Sequence, residues 1–91
     1  MRRPELSRSY RSDHKKLLRS GCYDMERLQD VVRSLALDIP LSPQHSDHEL
    51  SGEWIGFREC HVSFDWLLIY KKQADVLYLA RTGTHSDLFK K

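Results

Sequence analysis

The sequence predicts an α+β fold in which an N-terminal helical hairpin packs on an antiparallel β-sheet meander that ends in a short helical turn. Three observations lead to this prediction. Apolar residues recur at helical spacing in the first part of the chain, three strand-like runs follow in the second half, and only short turns separate those runs. With 91 residues, the chain is expected to form one domain over residues 1–91.

Two helices are predicted before the strands. The first runs from about Ser9 to Ser20, with Ser7 or Ser9 as its cap and Gly21 at its C-terminal end, where a left-handed residue is preferred. Asp24 caps the second helix, which ends by residues 39–40. Its apolar face is formed by Met25, Leu28, Val31, Val32 and Leu35. A short turn containing glycine joins the two helices and favours an antiparallel hairpin.

Residues 39–53 contain two prolines, several serines and a glycine, and are predicted to form a surface loop. The meander strands that follow are predicted at Trp54–Val62, Trp66–Lys71 and Val76–Thr82. The middle strand is apolar on both faces, so we expect it at the centre of the sheet with the helices covering at least one face. Residues 1–6 are a candidate edge strand, and a helical turn is expected at Ser86–Phe89.

The net charge of +2 conceals an uneven distribution along the chain. Residues 1–21 carry +5 and residues 22–53 carry −5. The basic segment is a candidate surface for a phosphate backbone, although a solvated helix face is the ordinary interpretation of such a charge run. The sequence shows neither an apolar run of transmembrane length nor a signal-peptide pattern, so a cytoplasmic protein is expected.

Residues that can transfer protons or bind a phosphate lie near the ends of the predicted strands. His61 closes the first meander strand, Asp65 precedes the second, and Arg81 and His85 follow the third, so the topology brings all four to one end of the sheet. His48, from the preceding loop, is expected to cover that end. Imidazoles that titrate near neutral pH, together with a fixed cation, are the groups needed to cut RNA without a metal.

The main chemical alternative is a metal site, because three histidines and an aspartate can bind zinc. Their spacing fits no compact zinc pattern, and Arg81 would repel a cation, so acid–base use is favoured and neither a metal nor a cofactor is expected. His14 and His45 are interpreted as structural. Arg58 is a candidate second phosphate contact or a simple surface charge, and Phe89 is a candidate substrate-contacting ring.

Several motifs in residues 47–89 resemble the YafQ branch of the RelE-like toxins, which belong to bacterial toxin–antitoxin pairs. The similarity is carried by His48–Gly52, Gly56–Val62, Asp65–Tyr70 and Arg81–Phe89. One departure is Phe64, because the family commonly has proline in this turn. The N-terminal half agrees with the family only in its helical-hairpin pattern.

This resemblance implies a ribosome-dependent mRNA endonuclease, in which the substrate's own 2′-hydroxyl attacks the phosphorus and leaves a 2′,3′-cyclic phosphate. The implied partners are a cognate antitoxin, the ribosome and its mRNA, and operator DNA only through the antitoxin, with no membrane. By position, the resemblance assigns His48, His61, Asp65 and His85 to acid–base catalysis. It assigns Arg81 to the phosphate and Phe89 to the substrate. Which histidine is the base and which the acid stays open.

A binding protein on the same fold is the alternative. ParE-like relatives share the fold class and act on DNA gyrase without cutting RNA, and a non-catalytic RNA-binding protein is a further possibility. The histidine set distinguishes the hypotheses, because a gyrase-directed toxin would not need it.

Overall fold

The computed structural model describes residues 1–89 and has the predicted α+β architecture. A five-stranded sheet has the order β1-β5-β4-β3-β2, in which only the β1–β5 pair is parallel. The strands are β1 (Arg3–Leu6), β2 (His48–Glu49), β3 (Arg58–Ser63), β4 (Trp66–Gln73) and β5 (Val76–Gly83). The helices are α1 (Arg8–Ser20), α2 (Met25–Ala36) and α3 (His85–Phe89). Within the described residues, no helix is long and apolar enough to cross a membrane.

The helical hairpin forms as predicted, with both N-terminal caps made by side chains. The Ser7 hydroxyl accepts the backbone N–H of Tyr10 at 2.9 Å, so Ser7 is the cap of α1. Asp24 accepts the N–H of Glu26 at 3.1 Å and caps α2. Gly21 has a φ of 70°, a left-handed conformation in which glycine carries no side-chain penalty, and it ends α1.

The first meander strand begins later than predicted. The expected strand started at Trp54, but β3 starts at Arg58, and Trp54 instead ends a 3-10 helical turn that begins at Gly52. Gly56 has a φ of 92°, which turns the chain before it joins the sheet. The aromatic residues that suggested a strand, Trp54 and Phe57, pack edge to face with 5.3 Å between ring centroids.

Two short edge strands complete the sheet. β1, expected as a candidate edge strand, pairs in parallel with β5 from Arg3 opposite Val76 to Leu6 opposite Leu79. β2 lies inside the segment predicted as loop, where His48 pairs with Glu59 of β3. Both strands have exposed side chains, so no apolar alternation marked them in the sequence.

The central strand β4 is buried on both faces, as predicted. On one face Trp66, Leu68 and Tyr70 pack with buried residues of α1 and α2. On the other, Leu67 and Ile69 pack with Leu88 of α3 and the partly buried residues Leu50, Trp54, Phe57, Tyr78 and Phe89. These two sides are called here the helix face and the open face. Because short elements cover the open face, the histidine side chains at its rim stay partly exposed.

Candidate active site

The candidate active site lies where β3, the β3–β4 turn and the start of α3 meet on the open face. Cys60 and Val62 of β3 join the core on the helix face. Strand alternation therefore directs Glu59 and His61 to the open face. His61, Asp65 and His85 come together here, as the sequence predicts.

Asp65 and His85 form a hydrogen-bonded pair. The Oδ1 atom of Asp65 lies 2.7 Å from Nδ1 of His85 and also accepts the backbone N–H of His85 at 3.1 Å. The hydrogen bonds from the His85 side chain and backbone lower the pKa of the Asp65 carboxyl, so this group stays ionised. A carboxylate oxygen only accepts, so the Nδ1 atom of His85 donates and its Nε2 atom is left to exchange a proton.

His61 lies beside this pair, with 5.9 Å between the centroids of the His61 and His85 rings. Its Nε2 atom is 3.8 Å from Oε1 of Glu59. The backbone carbonyl of His61 accepts a hydrogen bond from Nδ1 of His45 at 2.6 Å. This contact is consistent with the structural interpretation of His45, which holds the strand that carries His61.

β2 places His48 at the same site, because its residue in register is Glu59. The Nε2 atom of His48 lies 3.5 Å from Oε1 of Glu59. Its Nδ1 atom donates to the Ser46 carbonyl at 2.6 Å, which again leaves Nε2 free to accept or bind.

Glu59 is the site residue that the sequence analysis missed. Its side chain is only 6% exposed, yet it lies within 4 Å of Nε2 atoms of both His48 and His61. A buried ionisable carboxyl is unusual, and the position of Glu59 two residues before His61 puts both side chains on one face of β3. That spacing was the available signal. One ligand atom each from Glu59, His61 and His85 lie within 4.8 Å of one another, so these three residues can hold a metal ion.

Arg81 lies close in register to the open face, but its side chain has a partner on α1 that the sequence did not reveal. A β-bulge places Arg81 opposite Ile69, an open-face residue. Its Nε and Nη2 atoms donate to the two oxygens of Asp13 on α1 at 2.7 and 3.0 Å. Asp13 also accepts the backbone N–H of Thr82 at 3.1 Å. The hydrogen bonds to Asp13 raise the pKa of Arg81.

Arg58, proposed as a second phosphate contact, is not brought to the cluster. It lies opposite Tyr70 in register, and Tyr70 belongs to the helix-face core. Its Nε atom donates to Asp47 at 3.2 Å, and Asp47 also accepts the Tyr70 hydroxyl at 2.6 Å. Strand alternation explains this placement, because neighbours of Glu59 along β3 point to the opposite face.

Phe89 lies beside the cluster, one helical turn after His85, with 6.2 Å between the two ring centroids. With Leu88, Trp54 and Phe57 it lines a surface groove of about 740 Å³. The α1 helix, which carries much of the N-terminal basic charge, packs on the helix face instead. The predicted basic surface is therefore in a different layer from the cluster.

Comparisons with known proteins identify the family of this chain. The family model described as the bacterial toxin of a type II toxin–antitoxin system, YafQ, matches residues 2–90. The mRNA interferase toxin YafQ of Escherichia coli K12 is 41% identical over 86 residues, which cover 93% of this chain and 92% of that protein.

Solved structures with similar folds include the E. coli DinJ–YafQ complex, with a TM-score of 0.85, 38% identity and coverage of 98% of this chain and 99% of that one. A metal-bound toxin from Helicobacter pylori has a TM-score of 0.90 at 41% identity, covering 98% of this chain and 100% of that one.

Proposed function

This chain belongs to the YafQ family of bacterial type II toxins, which makes it an mRNA interferase, and from that premise we propose that it cuts ribosome-bound mRNA by acid–base catalysis with its own side chains. Its partner is an antitoxin, as in the DinJ–YafQ complex. The observation that carries the proposed mechanism is the Asp65–His85 pair, which shares one rim of the sheet with His61 and His48.

The proposed reaction needs two proton transfers. One group removes the proton of the 2′-hydroxyl as it attacks the neighbouring phosphorus, and another protonates the departing 5′-oxygen. Three imidazoles are available for these roles. Asp65 supports His85 by fixing the tautomer that presents Nε2 to the substrate, and it does not itself take the substrate proton.

Arg81 is proposed to stabilise negative charge on the scissile phosphate. Its hydrogen bonds to Asp13 hold the guanidinium in one orientation, and such preorganisation is what makes a fixed cation effective in a transition state. Phe89 is proposed to contact the RNA beside His85, at the edge of the aromatic groove. Arg58 is left out of this proposal because it faces the other side of the sheet.

Ribosome binding is proposed to use the basic N-terminal segment, residues 1–21, which carries +5. Contacts between lysine or arginine and RNA phosphates release counterions, so binding of the toxin to ribosomes should weaken as salt increases. Operator DNA is proposed to be contacted only through the antitoxin.

A message with a single 2′-deoxy sugar at the scissile position tests the mechanism in a translating extract. We expect the ribose message to be cut and the deoxy message to survive, because the attacking hydroxyl has been removed. Equal cleavage of both messages would refute attack by the 2′-hydroxyl.

His85→Ala distinguishes catalysis from the alternative of a non-catalytic, ParE-like or RNA-binding toxin. We expect growth arrest to be lost and cleavage to fall by about 10²–10⁴-fold, the usual contribution of one general acid or base. Antitoxin binding should be retained, since the His85 side chain is half exposed. Asp30→Ala, an exposed substitution on α2 outside the proposed ribosome-binding segment, is the control and should keep full activity. Unchanged toxicity of His85→Ala would support the binding protein.

A message with sulfur in place of the bridging 5′-oxygen assigns the histidines. A thiolate leaves without protonation, so this substrate should restore cleavage to a variant that lacks the general acid but not to one that lacks the base. We expect only one of His48→Ala, His61→Ala and His85→Ala to recover. Recovery of none would exclude all three as the acid.

A further inference from the structure

Phe64 is an aromatic residue outside the hydrophobic core. Its side chain is 98% exposed, and no large apolar side chain among residues 1–89 is more exposed. The other aromatic residues are buried or partly buried. Because the related toxins commonly have proline in this turn, the ring is a feature of this chain and not a requirement of the fold. An apolar ring left in water gains free energy when a ligand covers it.

The β3–β4 turn places this ring at the candidate active site. A turn of two residues, Phe64 and Asp65, joins the two strands. Adjacent Cα atoms are about 3.8 Å apart, which puts Phe64 next to the carboxylate that holds His85. Two hydrogen bonds from His85 to Oδ1 of Asp65 tie this turn to the start of α3. The backbone that carries the ring is therefore fixed relative to the proposed acid–base groups.

Phe64 and the aromatic groove lie on opposite sides of the acid–base cluster. Helix α3 begins beside Asp65 and ends at Phe89, which lines the groove. Phe57, another groove residue, directly precedes β3, whereas Phe64 directly follows it. Six strand residues with a rise of about 3.3 Å each separate the two by about 20 Å. His61 lies between them in β3, so RNA bound along this rim would meet an aromatic ring on each side of the cluster.

The surroundings of the ring favour a nucleic-acid base over a protein partner. Its chain neighbours, Ser63 and Asp65, are polar, whereas the core of a protein interface is a contiguous apolar patch. One base can stack on one aromatic ring without such a patch, because every base has a flat π face. Single-stranded RNA is commonly recognised by stacking of its splayed bases on aromatic side chains. A message held at this rim for cleavage presents such bases beside the scissile phosphate.

We propose that Phe64 stacks on an mRNA base next to the scissile phosphate, on the side opposite to the nucleotide that contacts Phe89. This inference rests on the proposed function, because it needs the message at the rim. The ring binds substrate and transfers no proton. Its contribution to cleavage is that of one base–aromatic stack, about 5–150-fold, and this contribution depends on the presence of the base.

Messages with one abasic ribonucleotide test the contact on ribosomes that hold the message. The base is removed in turn from each of the two nucleotides on either side of the scissile bond, and every 2′-hydroxyl is kept. On the intact message, Phe64→Ala should lower kcat/KM by about 5–150-fold, while Phe64→Tyr, which keeps a ring, should stay within about twofold of the parent. At one abasic position, the parent and Phe64→Ala should cut equally fast. The loss caused by Phe89→Ala should disappear only at a nucleotide on the other side of the scissile bond.

Ile39→Ser is the control, because Ile39 is also apolar and exposed but lies in the loop after α2. It should cut every message as the parent does, and circular dichroism should show all of these variants folded. An equal loss by Phe64→Ala on every message, abasic ones included, would overturn stacking and show that the residue acts through the turn. The absence of any loss on the intact message would also overturn it, and weaker antitoxin binding by that variant would then assign the ring to a protein interface.

Fluorescence of 2-aminopurine separates this contact from the proposed function, because stacking quenches its emission. The fluorescent base replaces each of the same four nucleotides in turn, in a message that lacks the 2′-hydroxyl at the scissile position. At one position, the parent and Phe64→Tyr should quench the emission on ribosomes, and Phe64→Ala should not. Quenching that does not depend on Phe64 would overturn the contact. If quenching depended on Phe64 but the parent never cut the ribose message, the proposed function would fail and the contact would stand.

Discussion

Replacement of Asp13 by alanine should destabilise the protein strongly, although Asp13 lies on a basic helix and carries no motif. Its carboxylate accepts three hydrogen bonds, two from the Arg81 guanidinium at 2.7 and 3.0 Å and one from the Thr82 backbone at 3.1 Å. The Asp13 side chain is 14% exposed, and Thr82 is buried. The substitution therefore leaves a charged donor and a backbone donor without their acceptor.

The expected loss follows from these bonds. Each hydrogen bond to a charged group contributes about 1.5–3 kcal/mol when buried, and an orphaned backbone N–H costs about 1–3 kcal/mol. Arg81 is 28% exposed, so water replaces part of its lost pairing, and alanine is a better helix residue than aspartate by about 0.6 kcal/mol. The net expectation is about 2–3 kcal/mol, a large part of the total for a domain of this size, which is about 5–14 kcal/mol.

Urea unfolding followed by tryptophan fluorescence measures this difference directly, and a calorimetric Tm should fall by about 8–24 °C. Asp30→Ala is the matched control, because Asp30 also lies on a helix and pairs with Arg33 at 3.2 Å, but both side chains are more than 60% exposed. Its effect should stay within about 0.5 kcal/mol. If Asp13→Ala lowered the free energy of unfolding as little as Asp30→Ala, the hydrogen bonds between Asp13 of α1 and residues 81–82 of β5 would not form in solution.

Three further substitutions test other parts of the structure. Burial raises the pKa of Tyr10 to about 12. The neutral form of Tyr10 therefore stabilises the fold below pH 10, and this contribution is lost as the pH rises towards 12. Between pH 10 and pH 12, the free energy of unfolding should fall by up to about 2.7 kcal/mol more in the parent protein than in Tyr10→Phe. Trp66→Phe should lower the free energy of unfolding, measured with urea, by about 2–3 kcal/mol. The substitution removes buried apolar area and the 2.9 Å hydrogen bond from the indole N–H to Thr82. A loss below about 1 kcal/mol would contradict that packing. Phe64→Ser should change stability by less than about 0.5 kcal/mol, since the ring is 98% exposed; a larger loss would show that the β3–β4 turn depends on it.

Local patterns predicted most of the fold. Capping residues and helical spacing marked the hairpin, and the apolar run of β4 indicated a strand buried on both faces. The predictions failed where an element owes its conformation to a neighbour. The two exposed residues of β2 form a strand only because the edge of β3 supplies hydrogen-bond partners. Conversely, Trp54 is an aromatic residue of a type common in strands, but it ends a 3-10 helical turn.

The same distinction applies to the candidate site. The meander topology was enough to predict that His61, Asp65 and His85 meet, because consecutive antiparallel strands return to the same end of a sheet. The face that each side chain occupies was harder to predict. Alternation along β3 turns Arg58 away from the cluster and Glu59 towards it, and a bulge in β5 sets Arg81 opposite Ile69 in register.

The sequence by itself determined the helical hairpin, the three-stranded meander, the family and the histidines that stand at the strand ends, because these depend on short-range spacing and on motifs. Tertiary structure alone decided the partners: Asp13 for Arg81, and Glu59 between His48 and His61. Asp13 and Arg81 are 68 positions apart in the chain. Electrostatic and hydrogen-bonding interactions act over a few ångströms, and separation along the chain does not indicate which groups will come that close in the folded protein.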